Sequence, residues 1–266
     1  MNLVARPWII AALLGLQILI PANALAGMTP EEVKMFEGIK AKAEKGDARS
    51  QVVLGLMYSI GQGVPEDIDQ AVLWYRKSAE KGDSYGQYYL GNYYATRDAA
   101  EAVAWFRKSA EQGNSDAQYE LAWRYEQGTK VLEKDLVKAI SWYRKSAEQG
   151  NDRAQYCLGN CHADGIGVLK DDLEAFSLYR KSAEQGNADA QSKLGRCYEL
   201  GLGVTQDIIE SYAYWNLVGV TNSDARKELE NLEKKMTSEA RFRGQQRSKK
   251  LQKEIEAKMA MNRAGK

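Results

Sequence analysis

Histidine and cysteine are scarce in this chain, which holds one histidine and three cysteines. Three cysteines cannot form a disulfide framework, and with a single histidine they argue against a structural zinc site. Because histidine is the commonest general base near neutral pH, its scarcity also argues against an enzyme. Neither sign of charge dominates, since 37 basic and 36 acidic residues leave a net charge of +1. Charge therefore gives no argument for nucleic acid as a partner, and we expect neither a metal nor a cofactor.

A long apolar run lies near the N-terminus. Arg6 precedes an uncharged stretch of 13 residues from Trp8 to Ile20, and small residues at 24–26 follow it. This order is typical of a secretory signal peptide. The alternative is an uncleaved membrane anchor, but a membrane-spanning helix needs about 20 apolar residues. We therefore expect residues 1–26 to be a signal peptide that is cleaved after Ala26, which would place the mature chain in a bacterial periplasm or outside the cell.

A phrase of ten residues recurs through most of the remaining chain. WYRKSAEKGD at 74–83 returns with few changes at 105–114, 142–151 and 178–187, and a faded copy lies at 214–223. A second phrase, Gln-x-x-Leu-Gly-x-x-Tyr, precedes each copy, and Gly-x-Gly-Val connects the two phrases in three of the units. The second phrase begins at Gln51, Gln87, Gln118, Gln155 and Gln191. Such periodicity is typical of solenoid proteins, in which each unit packs on its neighbours.

Each unit is predicted to form two helices, which we call helix A and helix B. In the first unit we expect helix A over residues 48–60 and helix B over residues 67–81, with Asp67 as the N-cap and Gly82 as the left-handed residue after the helix. The helix-B phrase places apolar and small residues at i, i+3, i+4 and i+7, the pattern of an amphipathic helix. Gly55 inside helix A costs about 1 kcal/mol of helix propensity. We therefore expect helix B to approach helix A closely at this glycine.

These phrases resemble the Sel1-like repeat, a relative of the tetratricopeptide repeat. The resemblance rests on Ala-x-x-x-Leu-Gly-x-x-Tyr, Gly-x-Gly-Val and Asp-x-x-x-Ala-x-x-Trp-Tyr-Arg-Lys-Ser-Ala-Glu-x-Gly, and it covers about residues 30–220. It implies an all-α fold, a right-handed α-solenoid of helix-turn-helix repeats whose concave face binds another protein. The departures are a shortened second unit, Leu178 in place of tryptophan and His162 in place of tyrosine. His162 is therefore expected to be a packing residue.

Three functions are compatible with the resemblance. The first is an exported scaffold or adaptor with a partner protein on its concave face. The second is a periplasmic immunity protein that neutralises a secreted, lipase-type toxin, and the third is a weak serine enzyme that handles β-lactams. Ser78-x-x-Lys81 matches a Ser-x-x-Lys signature, but the serine recurs at 109, 146 and 182 without the lysine, and the companion motifs are missing. We therefore expect a protein that is not an enzyme.

The chain is predicted to have four segments. These are the signal peptide (1–26), an N-terminal half-repeat or cap (27–46), five repeats (47–220) and a C-terminal helical cap with a basic tail (221–266). Residues 240–266 include nine basic and two acidic residues. We expect this tail to close the last repeat, and the alternative is docking on an acidic partner or an anionic membrane surface.

The three cysteines are expected to be free thiols. Cys157 and Cys161 are four residues apart in one helix, where Cβ atoms lie about 5–6 Å apart, whereas a disulfide requires about 3.5–4.5 Å. Cys197 lies one period after Cys161, and stacked helices are about 8–10 Å apart. The alternative is that one cysteine pairs with a partner chain.

A second face of helix A is predicted to bind the partner. It lies beside the framework residues, and it varies between units while the framework persists. By the tetratricopeptide resemblance, helix A lines the concave side, and tyrosine and tryptophan are typical of interface hot spots. The alternative is that several of these rings fill gaps between stacked units. The predicted partner-binding residues are Tyr85, Tyr88, Tyr89, Asn92, Tyr119, Trp123, Arg153, Tyr156 and Asn160. Of these, Tyr88, Tyr119 and Trp123 are expected to converge on one aromatic patch.

Overall fold

The structure, a computed structural model, describes residues 30–220 and 222–264. These residues form thirteen α-helices and no β-strand, and the predicted signal peptide lies outside them. A leading helix, α1 (Pro30–Glu44), precedes five helical hairpins. The helices A are α2 (Ala48–Ile60), α4 (Ser84–Tyr94), α6 (Ser115–Gln127), α8 (Asp152–Asp164) and α10 (Ala188–Leu200). The helices B are α3 (Ile68–Glu80), α5 (Ala99–Glu111), α7 (Leu136–Glu148), α9 (Asp172–Ala183) and α11 (Ile208–Gly219), and α12 (Ser223–Lys235) and α13 (Ser238–Ala264) follow.

The chain divides into two compact units. The first extends to Leu121 and includes the segment 128–133, and the second holds residues 122–127 and the chain from Lys134 onward. In the first unit, Phe36 of α1 is buried in one cluster with Leu54 of α2. The second unit has a corresponding cluster that includes helices α9, α10, α11 and α13.

The helix ends follow the turn chemistry that the sequence predicts. The Asp67 carboxylate accepts a hydrogen bond from the backbone N–H of Gln70 at 2.9 Å, which caps the first turn of α3. Gly82 has a φ of 87°, a left-handed conformation that glycine adopts without a steric cost. The predictions for helix A and helix B of the first unit are therefore confirmed.

The recurring glycine of helix A marks the closest approach of helix B. A Cβ atom added at Gly55 would lie 2.5 Å from Cε1 of Tyr75, and one at Gly159 would lie 2.7 Å from Cε1 of Tyr179. The aromatic ring of helix B thus occupies the space that a side chain would need. This contact is the packing reason that the sequence predicted.

A buried glutamine links each repeat to the helix that precedes it. Gln51 donates from Nε2 to the carbonyl oxygen of Ala43 at 2.9 Å, and Gln155 donates to the carbonyl oxygen of Ala147 at 3.1 Å. Gln87, Gln118 and Gln191 make the equivalent bond eight residues back along the chain. Since a buried polar group is costly unless it is hydrogen-bonded, this bond explains why a polar residue persists at a core position.

The last two helices pack on the final repeats. Thr237 accepts a hydrogen bond from the N–H of Ala240 at 3.1 Å and so caps α13. One stripe of α13 is in contact with the second unit, and Leu251 and Ile255 on this stripe are buried in the core cluster with Tyr214. The basic tail is therefore a packed structural element of the second unit, and it does more than close the last hairpin.

Candidate functional site

The predicted partner-binding residues lie on the helices A and keep part of their surface open to solvent. Tyr85, Asn92 and Trp123 are exposed, and the other six are half-buried. Trp123 has 43% of its surface exposed, which is high for a large aromatic side chain. Five of these residues belong to the first unit, and Trp123, Arg153, Tyr156 and Asn160 belong to the second.

In the first unit, the face combines an exposed ring with rings that pack inward. The Arg49 guanidinium lies 4.3 Å from the ring centroid of Tyr85, in a cation–π contact between the first two repeats. Tyr88 and Tyr89 contact each other edge to face at 5.1 Å. Tyr89 also stacks on the framework ring of Tyr75 at 5.1 Å, so it both fills a gap between repeats and reaches the surface.

In the second unit, Trp123 lies at the surface while its neighbours bind framework residues. The Arg124 guanidinium is 5.7 Å from the Trp123 ring centroid. Asn160 accepts a hydrogen bond from the Tyr179 hydroxyl at 2.8 Å, and the Tyr156 ring lies 6.2 Å from that of Tyr179. Trp123 is thus the member of the face that this unit leaves most open.

Burial raises the pKa of the half-buried tyrosines on this face. Desolvation is the main cause for both Tyr89 and Tyr156, and it holds both phenols neutral. A neutral phenol can donate and accept a hydrogen bond. The face therefore offers aromatic surface with polar edges.

In the third repeat, the recurring tryptophan of helix B is less buried than the tyrosine that follows it. Trp142, at the recurring tryptophan position of helix B, is only half-buried, and the Lys145 ammonium lies 4.2 Å from its ring. The neighbouring ring of Tyr143 is the fully buried one, at 0% exposure, and its hydroxyl donates to Glu126 at 2.6 Å. The ten-residue phrase does not distinguish these two rings, since both recur in it.

The serine of the Ser-x-x-Lys match serves the packing of the repeat. Ser78 is fully buried, and its hydroxyl donates to the carbonyl oxygen of Ala48 at 2.9 Å. Ser109 and Ser182 make the equivalent bonds in their own repeats. The hydroxyl therefore joins helix B to the start of helix A, a structural role that the sequence pattern did not reveal.

The three cysteines are free in the structure, with Cys161 and Cys197 buried. Burial raises the pKa of the Cys157 thiol to about 12 and that of Cys161 to about 11. Because the thiolate is the reactive form, these side chains are poor nucleophiles in the folded chain. Among the residues that the structure describes, no group of three or more potential ligands could hold a metal ion, and no helix has the length and apolar character to cross a membrane.

Similar proteins share this architecture. A protective antigen from uropathogenic Escherichia coli strains with an SLR fold is 31% identical, with a TM-score of 0.57 over 86% of this chain and 58% of that one. A Sel1 repeat protein from Oxalobacter formigenes is 31% identical, with a TM-score of 0.59 over 67% of this chain and 75% of that one. A sel1-like repeat-containing protein of Acanthamoeba polyphaga mimivirus is 43% identical over 61 residues, which are 23% of this chain and 11% of the relative. This chain thus spans a small part of the viral relative and somewhat more than half of the bacterial antigen.

The Sel1 repeat model matches five consecutive stretches, and together they cover most of the chain. The matched residues are 48–83, 84–114, 115–151, 152–187 and 188–217. Each stretch coincides with one helical hairpin of the structure. The chain therefore belongs to the Sel1 repeat family.

Proposed function

We propose that this protein is an exported scaffold or adaptor that binds a partner protein through the face of its helices A. Repeats of this family generally mediate protein–protein interaction and are generally non-enzymatic scaffolds. The observation that carries the proposal is the exposure of Trp123 on helix A α6. The framework residues of the same helix are buried in the packing between helices. Exposed aromatic side chains of this kind are typical anchors of protein interfaces.

The partner-binding face is tested by in-cell photocrosslinking. A benzophenone amino acid at position 123 should capture the partner, and mass spectrometry should identify it. Val137 is the matched control, since it lies on α7 of the same unit and has 75% of its surface exposed. Equal capture from positions 123 and 137 would contradict the assignment of the face.

The affinity for the captured partner should then depend on the Trp123 ring. Truncation of a buried interface anchor costs 2 kcal/mol or more, so Trp123→Ala should weaken binding by about thirtyfold or more. The melting temperature should change little, because the ring is largely exposed. Tyr143→Ala is the stability control and should cost about 3–5 kcal/mol, as large-to-small changes in a core do. Comparable melting losses for both variants would place Trp123 in the core.

The export part of the proposal rests on the charged start, apolar run and small residues of the first 26 positions. Expression in a bacterial host should yield a mature protein whose N-terminal residue is Gly27, as read by intact mass. Retention of residues 1–26 on the folded protein would contradict cleavage. A captured partner that proves to be a secreted toxin would indicate an immunity protein, and an envelope or signalling protein would indicate an adaptor.

A further inference from the structure

The C-terminal helix α13 lies on a wall that the repeats build from five side chains. These are Arg180, Glu184, Tyr198, Glu210 and Tyr214, which line a cavity of about 570 Å³ together with residues of α13. Arg180 and Glu184 lie four residues apart in the ten-residue phrase, and Tyr198 lies in the last turn of α10. Glu210 and Tyr214 belong to α11, the helix B of the last repeat. We call this wall the covered wall.

Where α13 meets the covered wall, two basic residues flank two buried aliphatic residues. The Arg247 guanidinium pairs with Glu210 at 2.6 Å, and the Lys258 ammonium pairs with Glu184. Between these two cations, Leu251 and Ile255 are buried, at 4% and 8% exposure. The helix therefore presents the pattern basic, aliphatic, aliphatic, basic, at positions i, i+4, i+8 and i+11.

The preceding repeat carries the same wall, and no helix of the described residues lies across it. A shift of 36 residues converts the covered wall into Arg144, Glu148, His162, Glu174 and Leu178. These five residues line a hollow of about 340 Å³. We call this second surface the open wall.

The open wall retains the carboxylates and the apolar floor that α13 uses. Glu148 and Glu174 are exposed, and no cation of the described residues forms an ion pair with either of them, whereas their equivalents Glu184 and Glu210 are half-buried under α13. Leu178 forms the floor and is itself only 4% exposed. The open wall therefore retains the two carboxylates of the covered wall, and Lys181 adds a cation to its lining.

The open wall also differs from the covered wall in the size of two side chains. His162 lies where the covered wall has Tyr198, and Leu178 lies where it has Tyr214, so the open wall has less ring volume. The Nδ1 atom of His162 is buried without a hydrogen-bond partner among the described residues, and a buried polar atom without a partner is costly. The smaller side chains leave space for a larger apolar side chain over the open wall.

We propose that the open wall binds an amphipathic helix of another protein, one that carries two aliphatic or aromatic residues four positions apart with a basic residue on either side. The contact of α13 with the covered wall is the template for this complex. The basic residues of the partner pair with Glu148 and Glu174, and its apolar residues lie over Leu178 and His162. This site lies on the helix-B side of the repeats and is separate from the face of the helices A proposed above.

A labelled synthetic peptide with the sequence of residues 241–262 is the probe, added to the full-length protein and followed by fluorescence anisotropy. We expect saturable binding that weakens about tenfold in the variant Glu148→Gln/Glu174→Gln, because neutral glutamines lose both partly exposed ion pairs. The matched control is Glu184→Gln/Glu210→Gln on the covered wall. This control should bind the peptide at least as well as the unaltered protein, because it disturbs only the seat of α13.

A charge exchange makes the test independent of folding. The protein variant Glu148→Lys should lose affinity for the peptide, and a peptide with Lys258→Glu should restore it. Absence of saturable binding would overturn the proposal, as would a loss confined to the covered-wall variant, since the peptide would then only exchange with α13. A full-length protein that dimerises, with the dimer lost in Glu148→Gln/Glu174→Gln, would assign the open wall to a second copy of this chain and would also overturn the proposal.

Discussion

A single glutamine in each repeat shows how a polar residue can be a core residue. Gln155 is 5% exposed, and its amide spans eight residues back to the carbonyl oxygen of Ala147. The sequence establishes that this glutamine recurs. It does not identify the hydrogen-bond acceptor, because the acceptor is a backbone carbonyl, and every residue has one whatever its side chain. The hydrogen bond could be assigned only with the packing of two successive helices in view.

Replacement of this glutamine by an apolar residue of similar shape should destabilise the protein. Gln155→Met removes two hydrogen bonds, one to the Ala147 carbonyl and one from the Gln185 side chain. The Ala147 carbonyl keeps its bond from the backbone N–H of Gly150 at 3.0 Å, so the cost is that of the lost bonds, about 0.5–1.5 kcal/mol each. Gln246→Met, at an exposed position on α13, should change the free energy of unfolding by less than about 0.5 kcal/mol. Urea unfolding of both variants measures the difference. Similar midpoints for the two would show that the buried bond contributes nothing.

The thiols should be unreactive in the folded protein. Burial raises the pKa of Cys161 from 9.0 to about 11, so near pH 8 its thiolate fraction is about a hundredfold lower than that of an unperturbed thiol. Alkylation should be slow in native buffer, and three thiols should titrate after denaturation without reductant. Titration of only one thiol would reveal an intramolecular disulfide, and rapid native labelling would show that the side chains are more open than their burial indicates.

At the scale of the element, the helices were largely predictable because their ends carry their own chemistry. Aspartate or asparagine precedes the capped helices and glycine follows many of them, so local bonding fixes the boundaries. Leu251 and Ile255 are four residues apart and so share one face of α13. What this face packs against could not be predicted, since Phe176 and Leu194 in the same cluster lie more than 50 residues away. Periodicity identifies the face of a helix that is buried, and it leaves the surface opposite that face unspecified.

The buried stripe of α13 should contribute strongly to the stability of the second unit. Leu251→Ala removes a side chain that is 4% exposed and should cost about 2–5 kcal/mol. Lys253→Ala, two residues on and exposed, is the matched control and should stay within about 0.5 kcal/mol. Thermal unfolding measures both. If the two variants melt together, α13 is not a packed part of the fold.

At the scale of the whole molecule, the repeat family and the hairpins could be predicted from the sequence. The positions that share a face of helix A could also be predicted, but not which side chains of different repeats come together. The framework and variable positions of helix A follow from its 3.6-residue period. The expected convergence of Tyr88, Tyr119 and Trp123 depends instead on the arrangement of the two units, which no local pattern encodes. That patch stays a prediction. The open wall could not be predicted from the sequence, because His162 and Leu178 look like ordinary substitutions at framework positions. Their position becomes informative only when α13 is seen to pack on the equivalent residues of the covered wall.

The stability of the protein should fall as the pH rises above about 9. Burial raises the pKa of Cys161 from 9.0 to about 11 and that of Tyr75 from 10.0 to about 12. The unfolded chain therefore releases these protons at a lower pH than the folded chain does, so the folded state binds more protons and the free energy of unfolding decreases with pH. The decrease should persist at high salt, which screens surface charge and affects buried groups less. A constant free energy of unfolding from pH 8 to pH 11 would contradict this origin.

The glutamine bonds also have a mechanical consequence. Each one is the same joint between one hairpin and the helix before it, so a force applied to the two ends of the chain meets a series of similar joints. Such a chain should lengthen in discrete steps in an optical trap, each releasing one repeat of about 36 residues and up to about 12 nm of extended chain. The second repeat spans residues 84–114 and is shorter than its neighbours. Its release should therefore appear as a step about a seventh shorter than those of the first, third and fourth repeats.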